Sequence, residues 1–472
     1  MLNRPISNDT ICALATPYGM GAIAMVRVSG LHAFHIVSSM LQRKGKALET
    51  DKIVPNYAYY GQIVTSNNEL LDEAVVTFYK SPHSFTGEDT AEISVHGSVY
   101  VQQKLLNSLV ANGCRIAEAG EFTRRAFING KFDLAQAEAI ADLISSETEA
   151  AHRVAINQLR GGFSKGLQLL RSKLIEITSL IELELDFSEE DVEFADRNQL
   201  KALLEETSEK VHKLSDSFRL GNAIKNGIPV VIVGQTNTGK STLLNALLGE
   251  DRAIVSDIAG TTRDTIEETL NINGMLYRFI DTAGLRNTDE TIEKIGIERS
   301  YKKIQEANIV IGMLDAAVEY ESMLSSANEI LSKVNLQQQQ LIICINKVDL
   351  LADHGEAVLK RLRMDLNNDA VVYLRLSAKH ALGLSDLYNA LKDCQPLAAT
   401  DATLVTNMRH YEALLHTSES LESVKRGLET KIPIDLISQD LREAIHYLGT
   451  ITGEITTDEI LGTIFSRFCI GK

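Results

Sequence analysis

Gly234-Gln235-Thr236-Asn237-Thr238-Gly239-Lys240-Ser241 separates the apolar run Pro229–Val233 from the helical stretch Ser241–Leu248. A glycine-rich loop between a strand and a helix is the pattern of a P-loop. Its glycines let the backbone wrap phosphates, and the amides of the first helical turn point at them. Lys240 is placed to reach the β and γ phosphates, and the Ser241 hydroxyl to ligate Mg²⁺. A P-loop alone identifies a nucleotide binder without naming its base.

The signatures that follow name the base. Asp281-Thr282-Ala283-Gly284 comes after the apolar run Leu276–Ile280, supplying an acid near Mg²⁺ and a glycine amide that can sense the γ-phosphate. Asn346-Lys347-Val348-Asp349 follows Leu341–Ile345, and a carboxylate there accepts the N1 and N2 protons of guanine, a donor pair that adenine lacks. Ser377-Ala378-Lys379 follows Val371–Leu376 and suits a base-contacting loop. Gly260-Thr261-Thr262-Arg263-Asp264 lies between the first two signatures, with Thr262 as the second Mg²⁺ ligand, ordered by the γ-phosphate. Five signatures in order, each in its strand context, point to a GTP site. The expected nucleotide contacts are Asn237-Thr238-Gly239-Lys240-Ser241-Thr242, Ser256-Asp257-Ile258-Ala259-Gly260-Thr261-Thr262, Asp281-Thr282-Ala283-Gly284, Asn346, Lys347, Asp349 and Ser377-Ala378-Lys379.

Hydrolysis needs a further device, because Leu285 occupies the position where Ras-type enzymes orient water with glutamine. Asn237 offers a neutral oxygen beside the phosphates. With backbone carbonyls of the Ser256–Thr261 loop it could hold a monovalent cation where an arginine finger would otherwise sit. Glu293 is a candidate water positioner; its plainer alternative is a solvated acid in a first helical turn.

Around this module the chain changes character. Its 472 residues suggest two to four domains, and 44% hydrophobic with 23% charged residues is a globular composition. From Asp9 to about Lys131 short β-rich runs (Ile23–Val28, Tyr57–Ile63, Ala74–Tyr79, Ala91–Val95) precede one helical segment, Val99–Ala111, an α+β pattern. Leu167, Leu170, Leu174, Ile177, Ile181 and Leu185 then recur at helical spacing. Glu189-Glu190-Asp191 reads as an acidic loop, and a second helical pattern spans Gln199 to Phe218. After the strand–helix alternation of Asn226 to about Leu391, helical periodicity returns in Met408–Val424, Ile434–Leu448 and Thr457–Phe468, where Thr456-Thr457-Asp458-Glu459 fits a capping box. The economical arrangement is one discontinuous helical domain with an inserted Ras-like P-loop domain; two separate helical domains fit equally well. The expected limits are 1–131, 132–225, 226–393 and 394–472.

Other classes are disfavoured. Met1-Leu2-Asn3-Arg4-Pro5 begins no signal peptide, and the apolar runs fall short of the roughly 20 residues of a membrane helix, so a soluble cytoplasmic protein without membrane contact is expected. Cys12, Cys114, Cys344, Cys394 and Cys469 form neither a disulfide frame nor a zinc pattern, and Cys12 and Cys344 read as buried thiols. The net charge of −16 argues against unaided, non-specific nucleic-acid binding.

The specific marks lie outside the P-loop module: Asp9-Thr10-Ile11, Gly21-Ala22-Ile23-Ala24-Met25-Val26-Arg27-Val28-Ser29-Gly30, Ser84-Phe85-Thr86-Gly87-Glu88-Asp89, the block from Gly120-Glu121-Phe122-Thr123-Arg124-Arg125-Ala126-Phe127 through Asn129-Gly130-Lys131 to Leu134-Ala135-Gln136-Ala137-Glu138-Ala139, and Cys469-Ile470-Gly471-Lys472. By these marks the chain resembles the MnmE (TrmE) family of bacterial and organellar tRNA-modification GTPases. The resemblance implies a multidomain α/β plus α protein: an α+β tetrahydrofolate-binding amino-terminal domain through which it homodimerises, a discontinuous helical domain and an inserted G-domain. It implies K⁺-dependent GTP hydrolysis to GDP and phosphate. It also implies action with an MnmG-type flavin protein, in a heterotetramer or larger complex, to place an aminomethyl or carboxymethylaminomethyl group on C5 of wobble uridine 34 of tRNA.

Carried over by position, the resemblance puts folate contacts (a 5,10-methylene or 5-formyl derivative) at Arg27, Glu92, Lys131 and Lys472, K⁺ ligands at Asn237, Ser256, Ile258 and Thr261, Mg²⁺ ligands at Ser241 and Thr262, and the water-positioning carboxylate at Glu293. Taken alone, Arg27 and Lys131 read as ordinary surface cations. No GxGxxG loop follows a strand, so FAD and NADH belong to the partner. Cys469 is a candidate nucleophile beside a one-carbon unit, or a bystander in a tail that completes the folate pocket. Thr236 stands where this family commonly has proline, and Thr238 where it has a small apolar residue. Two other functions compete: a GTP-timed switch on ribosomal RNA, which would need a basic RNA-binding module, and a folate enzyme acting without RNA, which leaves the G-module unexplained.

Overall fold

The computed structural model describes residues 9–186, 197–250, 268–280, 303–394, 404–430, 432–466, 468 and 471. Two compact units form: one from Met1–Ile144, Ala155–Val211 and Glu412–Lys472, the other from Ser145–Val154 and His212–Tyr411. The two segments of the second unit each interrupt the chain of the first.

The amino-terminal part is a sheet of β1 (Ile11–Leu14), β2 (Ile23–Ser29), β3 (Leu41–Arg43), β4 (Lys46–Ala47), β5 (Ala58–Val64), β6 (Leu70–Tyr79), β7 (Thr90–His96) and β8 (Arg115–Ile116), with helices α1 (Ala33–Met40), α2 (Val99–Ala111) and α3 (Glu121–Ile128). The order is β4-β3-β5-β6-β7-β2-β1-β8, antiparallel except where β1 meets β8. Strand alternation explains its two faces. Ala24, Val26 and Val28 point with Phe34, Val76, Phe78 and Ile93 into a core shared with α1 and α2. Arg27 and Ser29 therefore face the other way, where Ile11, Ala13, Phe122 and Ala117 make a smaller cluster edged by Phe85. Helices α1 and α3 are elements that the reading of this region, with its single helical segment, did not anticipate.

Helices α4 (Leu134–Ile144), α5 (Glu149–Leu159), α6 (Gly162–Asp186), α7 (Arg197–Asp216) and α8 (Phe218–Asn226) lead to the inserted sheet. That unit runs β9 (Ile228–Gly234), α9 (Lys240–Glu250), β10 (Glu268–Ile272), β11 (Met275–Phe279), β12 (Ile309–Asp315), α10 (Tyr320–Lys333), β13 (Gln340–Asn346), α11 (Glu356–Leu366), β14 (Val371–Arg375) and α12 (Leu384–Asp393). The order is β10-β11-β9-β12-β13-β14, parallel beyond the β10–β11 hairpin. Asn273 and Gly274 turn that hairpin, both at positive φ as a tight two-residue loop requires. The sheet is covered on both faces: Val230 and Ile232 enter one core, Val231 and Val233 the other. Register places Gly234 beside Met313 and Asp315 beside Asn346, so the carboxyl ends of β9, β12 and β13 form one edge. In open α/β sheets that edge is where ligands bind.

The chain closes with α13 (Met408–Thr430), α14 (Ile434–Thr452) and α15 (Asp458–Phe465). Buried Leu167, Leu170, Leu174, Ile177 and Ile181 form the expected stripe on α6 as far as its side chains are described, Leu185 lying beyond them, and α6 packs on α14 with its buried Ile437, Leu441, Ala444, Leu448 and Ile451. Phe465, Leu461 and Phe468 pack with Leu134 and Ala137. The cap of α15 differs from the expected box: Thr457 is the N-cap, its hydroxyl accepting the Ile460 amide at 3.4 Å. Glu459 thereby falls one position short of the box's return bond. Among the described residues no helix is long and apolar enough to cross a membrane.

Candidate functional site

At the carboxyl end of β9, Gly234 (φ +151°) turns the chain, since a Cβ there would lie 2.4 Å from the Met313 carbonyl oxygen. Gly239 (φ +94°) leads into α9, and a Cβ on it would meet Asn346 Nδ2 at 2.2 Å. The loop braces itself: Thr238, 4% exposed, donates its hydroxyl to the Gln235 carbonyl at 2.9 Å. A small apolar residue could not make that bond, so this departure from the family pattern adds a brace and removes no phosphate contact. Gln235 Nε2 donates to Ser326 Oγ on α10 at 2.7 Å. Lys240 Nζ donates to the Gly234 and Gln235 carbonyls at 3.0 and 2.7 Å, at the mouth of the loop.

Asn346 ties three signatures together. Its Nδ2 donates to the Thr238 carbonyl at 2.8 Å, and its Oδ1 accepts the Ala378 amide at 2.9 Å. One side chain thus links the phosphate loop to the base loops. Lys347, in the left-handed region at φ +65°, extends its ammonium to Asp315 Oδ2 at 2.5 Å. The Ser377 hydroxyl holds the half-buried Asp349 carboxyl below its usual range, with His380 and Lys379 adding to the effect. An ionised Asp349 is acceptor-only, which is what the N1 and N2 donors of guanine require. Gln235, Ser326 and Asp315 were not singled out in the sequence; only Asp315, an acid closing an apolar strand, carried a readable signal.

The donor set suits hard cations. Ser241 brings a hydroxyl in the first turn of α9, and Asn237 sits exposed at φ +60° with an amide oxygen. Among the described residues no group of three or more His, Cys, Asp or Glu could hold a metal. Ser256, Asp257, Ile258, Ala259, Gly260, Thr261, Thr262, Asp281, Thr282, Ala283, Gly284, Glu293, Cys469 and Lys472 lie outside the described residues, as does Glu189-Glu190-Asp191.

On the second face of the amino-terminal sheet, Arg27 is no ordinary surface cation. It pairs across the β2–β7 register with Glu92, Nε and Nη2 donating to Oε1 at 3.0 and 2.8 Å, and its side chain is 14% exposed. Its guanidinium lies 5.0 Å from the Phe85 ring centroid and 5.8 Å from that of Phe122. Tyr79 donates to the other Glu92 oxygen at 3.4 Å, and burial, with the Glu92 charge, pushes its phenol above the usual range. Lys131 is exposed as expected, with Nζ donating to the Pro82 carbonyl at 2.9 Å on the loop that carries Phe85. A Cβ on Gly471 (φ +99°) would lie 1.9 Å from the Leu14 carbonyl oxygen. Leu14 neighbours Ala13, the strand partner of Arg27, so Gly471 lies at the same sheet end. Cations, a carboxylate and aromatic planes together suit a pterin bearing donor and acceptor edges and an anionic tail.

Beside this pair lies a charge network built on buried Arg125 and Glu121, which accounts for both residues' place in the Gly120–Phe127 block. Arg125, 2% exposed, donates to Asp9, Glu88 and Glu121. Arg115 donates to Asp9 and Glu121 at 2.6 Å each, and Ser29 Oγ to Glu88 at 2.7 Å. Burial alone would raise the Glu121 carboxyl, but hydrogen bonds from Arg115, the Glu118 amide and Arg125 hold it below its usual range. The network locks α3 to β1, β8 and the Thr86–Glu88 loop.

Comparison with known proteins matches residues 10–131 to the family described as the GTP-binding protein TrmE N-terminus, and residues 134–469 to the MnmE helical domain. The chain is 49% identical to the tRNA modification GTPase MnmE of Parabacteroides distasonis over 98% of its length and 100% of the relative. It is 50% identical to that of Flavobacterium johnsoniae over 99% of its length and 100% of the relative. The MnmE of Porphyromonas gingivalis is 47% identical, with 99% of this chain and 98% of that protein covered.

Proposed function

Because this chain belongs to the MnmE (TrmE) family, we propose that it is a K⁺-dependent GTPase acting in tRNA modification, one that with an MnmG-type flavin partner modifies C5 of wobble uridine 34. The observation that carries the reading is the end-to-end match, which spans the Arg27–Glu92 pair and the nucleotide loops in one chain. The domain limits 1–131, 132–225, 226–393 and 394–472 belong to the same proposal.

At the nucleotide site Asn346 holds the loops in register, Asp349 reads guanine, and Lys240 with the α9 amides takes the phosphates. Ser241 and Thr262 would hold Mg²⁺, which balances phosphate charge. Asn237, Ser256, Ile258 and Thr261 would hold K⁺, whose charge serves where Ras-type enzymes recruit an arginine. Glu293 orients the attacking water, the task Leu285 cannot perform, and GTP becomes GDP and phosphate. In the amino-terminal domain Arg27, Glu92, Lys131 and Lys472 would hold a 5,10-methylene or 5-formyl tetrahydrofolate, which supplies the one-carbon unit. FAD and NADH come with the partner, and this chain is a homodimer. Cys469 is either a nucleophile or a bystander: Cys469→Ser that binds folate but modifies no tRNA assigns it chemistry, and full activity removes it.

The test is nucleoside mass spectrometry of bulk tRNA from a strain lacking its own copy, with and without this chain. Restored C5-aminomethyl-type wobble uridines are expected. Their absence, with folded chain and partner both present, would overturn the reading. GTP hydrolysis in K⁺ against Na⁺ tests the cation separately.

A further inference from the structure

Asp315 closes β12, the strand that lies between the P-loop strand β9 and β13. Its carboxylate divides its oxygens: Oδ1 accepts the Ala317 amide at 2.9 Å, and Oδ2 accepts the Lys347 ammonium at 2.5 Å. The strand ends are joined beneath this bond, since the Ala316 amide donates to the Asn346 carbonyl at 2.9 Å and Asp315 is the register partner of Asn346. Asp315 is 13% exposed and Lys347 34%, so the pair sits at the edge of solvent with the lysine on the outer side.

From this we infer that Asp315 is a positioning residue for guanine nucleotide: by fixing the Lys347 ammonium it lays the lysine stem down as a preformed apolar strip beside the base. The inference rests on the GTP reading of this site and extends it to a residue outside the five signatures. A free lysine carries four flexible carbons whose ordering opposes binding, whereas a lysine already held gives up less. Its methylenes then offer an apolar surface to the ring while the charge stays balanced. Asp349 chooses guanine by hydrogen bonds. Asp315 acts one step away, through the lysine.

The experiment is titration of the full chain with Mg·GDP in KCl, with thermal unfolding followed alongside. Asp315→Asn keeps an oxygen for the Ala317 amide and removes the charge that anchors Lys347. It is expected to unfold within a few degrees of the parent and to bind GDP up to about tenfold more weakly, the ordering cost of one long side chain. Asp315→Glu restores most of the affinity. In a Lys347→Met background, where no ammonium exists to hold, Asp315→Asn adds nothing. Undiminished affinity in Asp315→Asn, or losses that simply add in the double variant, would overturn the inference. A parent chain that bound no GDP would instead fail the GTP reading itself, before Asp315 was touched.

Discussion

Arg125 and Lys347 are both motif cations with carboxylate partners, yet Arg125 is 2% exposed among three carboxylates and Lys347 34% exposed against one. The guanidinium of Arg125 is consumed by the fold: its Nη atoms donate to Asp9, Glu88 and Glu121, leaving little for a ligand. Lys347 keeps one side open. A few residues from Arg125 in space, Arg27 is intermediate, paired with Glu92 but stacked on aromatic faces. Equally prominent motif residues thus differ in how far the fold has already engaged them, and burial with the number of carboxylate partners tells them apart.

The hardest test of that division is Arg125→Met. Removing one partner from a buried network strands the remaining charges and should cost about 3–5 kcal/mol in urea unfolding followed by circular dichroism, while GDP affinity stays near that of the parent. Little loss of stability would mean that the platform stands without its ion pairs. Gly239→Ala is the converse: the fold should survive, but a Cβ colliding with Asn346 at positive φ should weaken GDP binding roughly 10- to 100-fold, the scale of 1–3 kcal/mol of backbone strain. Equal affinity would show that the loop can slide.

Acid sharpens the contrast. The folded Glu121 carboxyl lies below its unfolded value, so its stabilisation is complete above about pH 4.3 and fades as pH falls through the folded value. Denaturant midpoints measured at falling pH should therefore drop below about pH 4.3 in the parent, and more gently in Glu121→Gln. Superimposable profiles would detach Glu121 from the stability of α3. The smallest effect is expected of Phe85→Leu, which removes one ring from Arg27 and should weaken reduced-folate binding about two- to fivefold without moving the unfolding midpoint. A larger loss would place Phe85 in direct contact with the ligand.

Much of this was readable in the sequence, because the P-loop, the alternating β–α pattern and the α6 stripe are local signals that packing then obeys. What stayed hidden depends on distant partners. Arg27 reads as a surface cation until β7 brings Glu92 beside it from 65 residues away. Asp315 meets Lys347 only because β12 and β13 are neighbours, which no single motif states. Glu121 and Arg125 stand one helical turn apart, a spacing that suits an exposed pair as well as a buried one. The α15 cap missed by one residue because Thr456 and Thr457 offer the same hydroxyl.

The pairing of α6 with α14 also dictates an order of events during synthesis. At about 5–20 residues per second, the roughly 250 residues separating the two helices delay their meeting by some 12 to 50 seconds. Over that interval the α6 stripe has no α14 to cover it, while the inserted sheet emerges complete and can fold. The nascent chain thus offers the α6 stripe to chaperones over that interval, and a ribosome stalled between α12 and α14 would display a finished nucleotide-binding module before α6 has its partner.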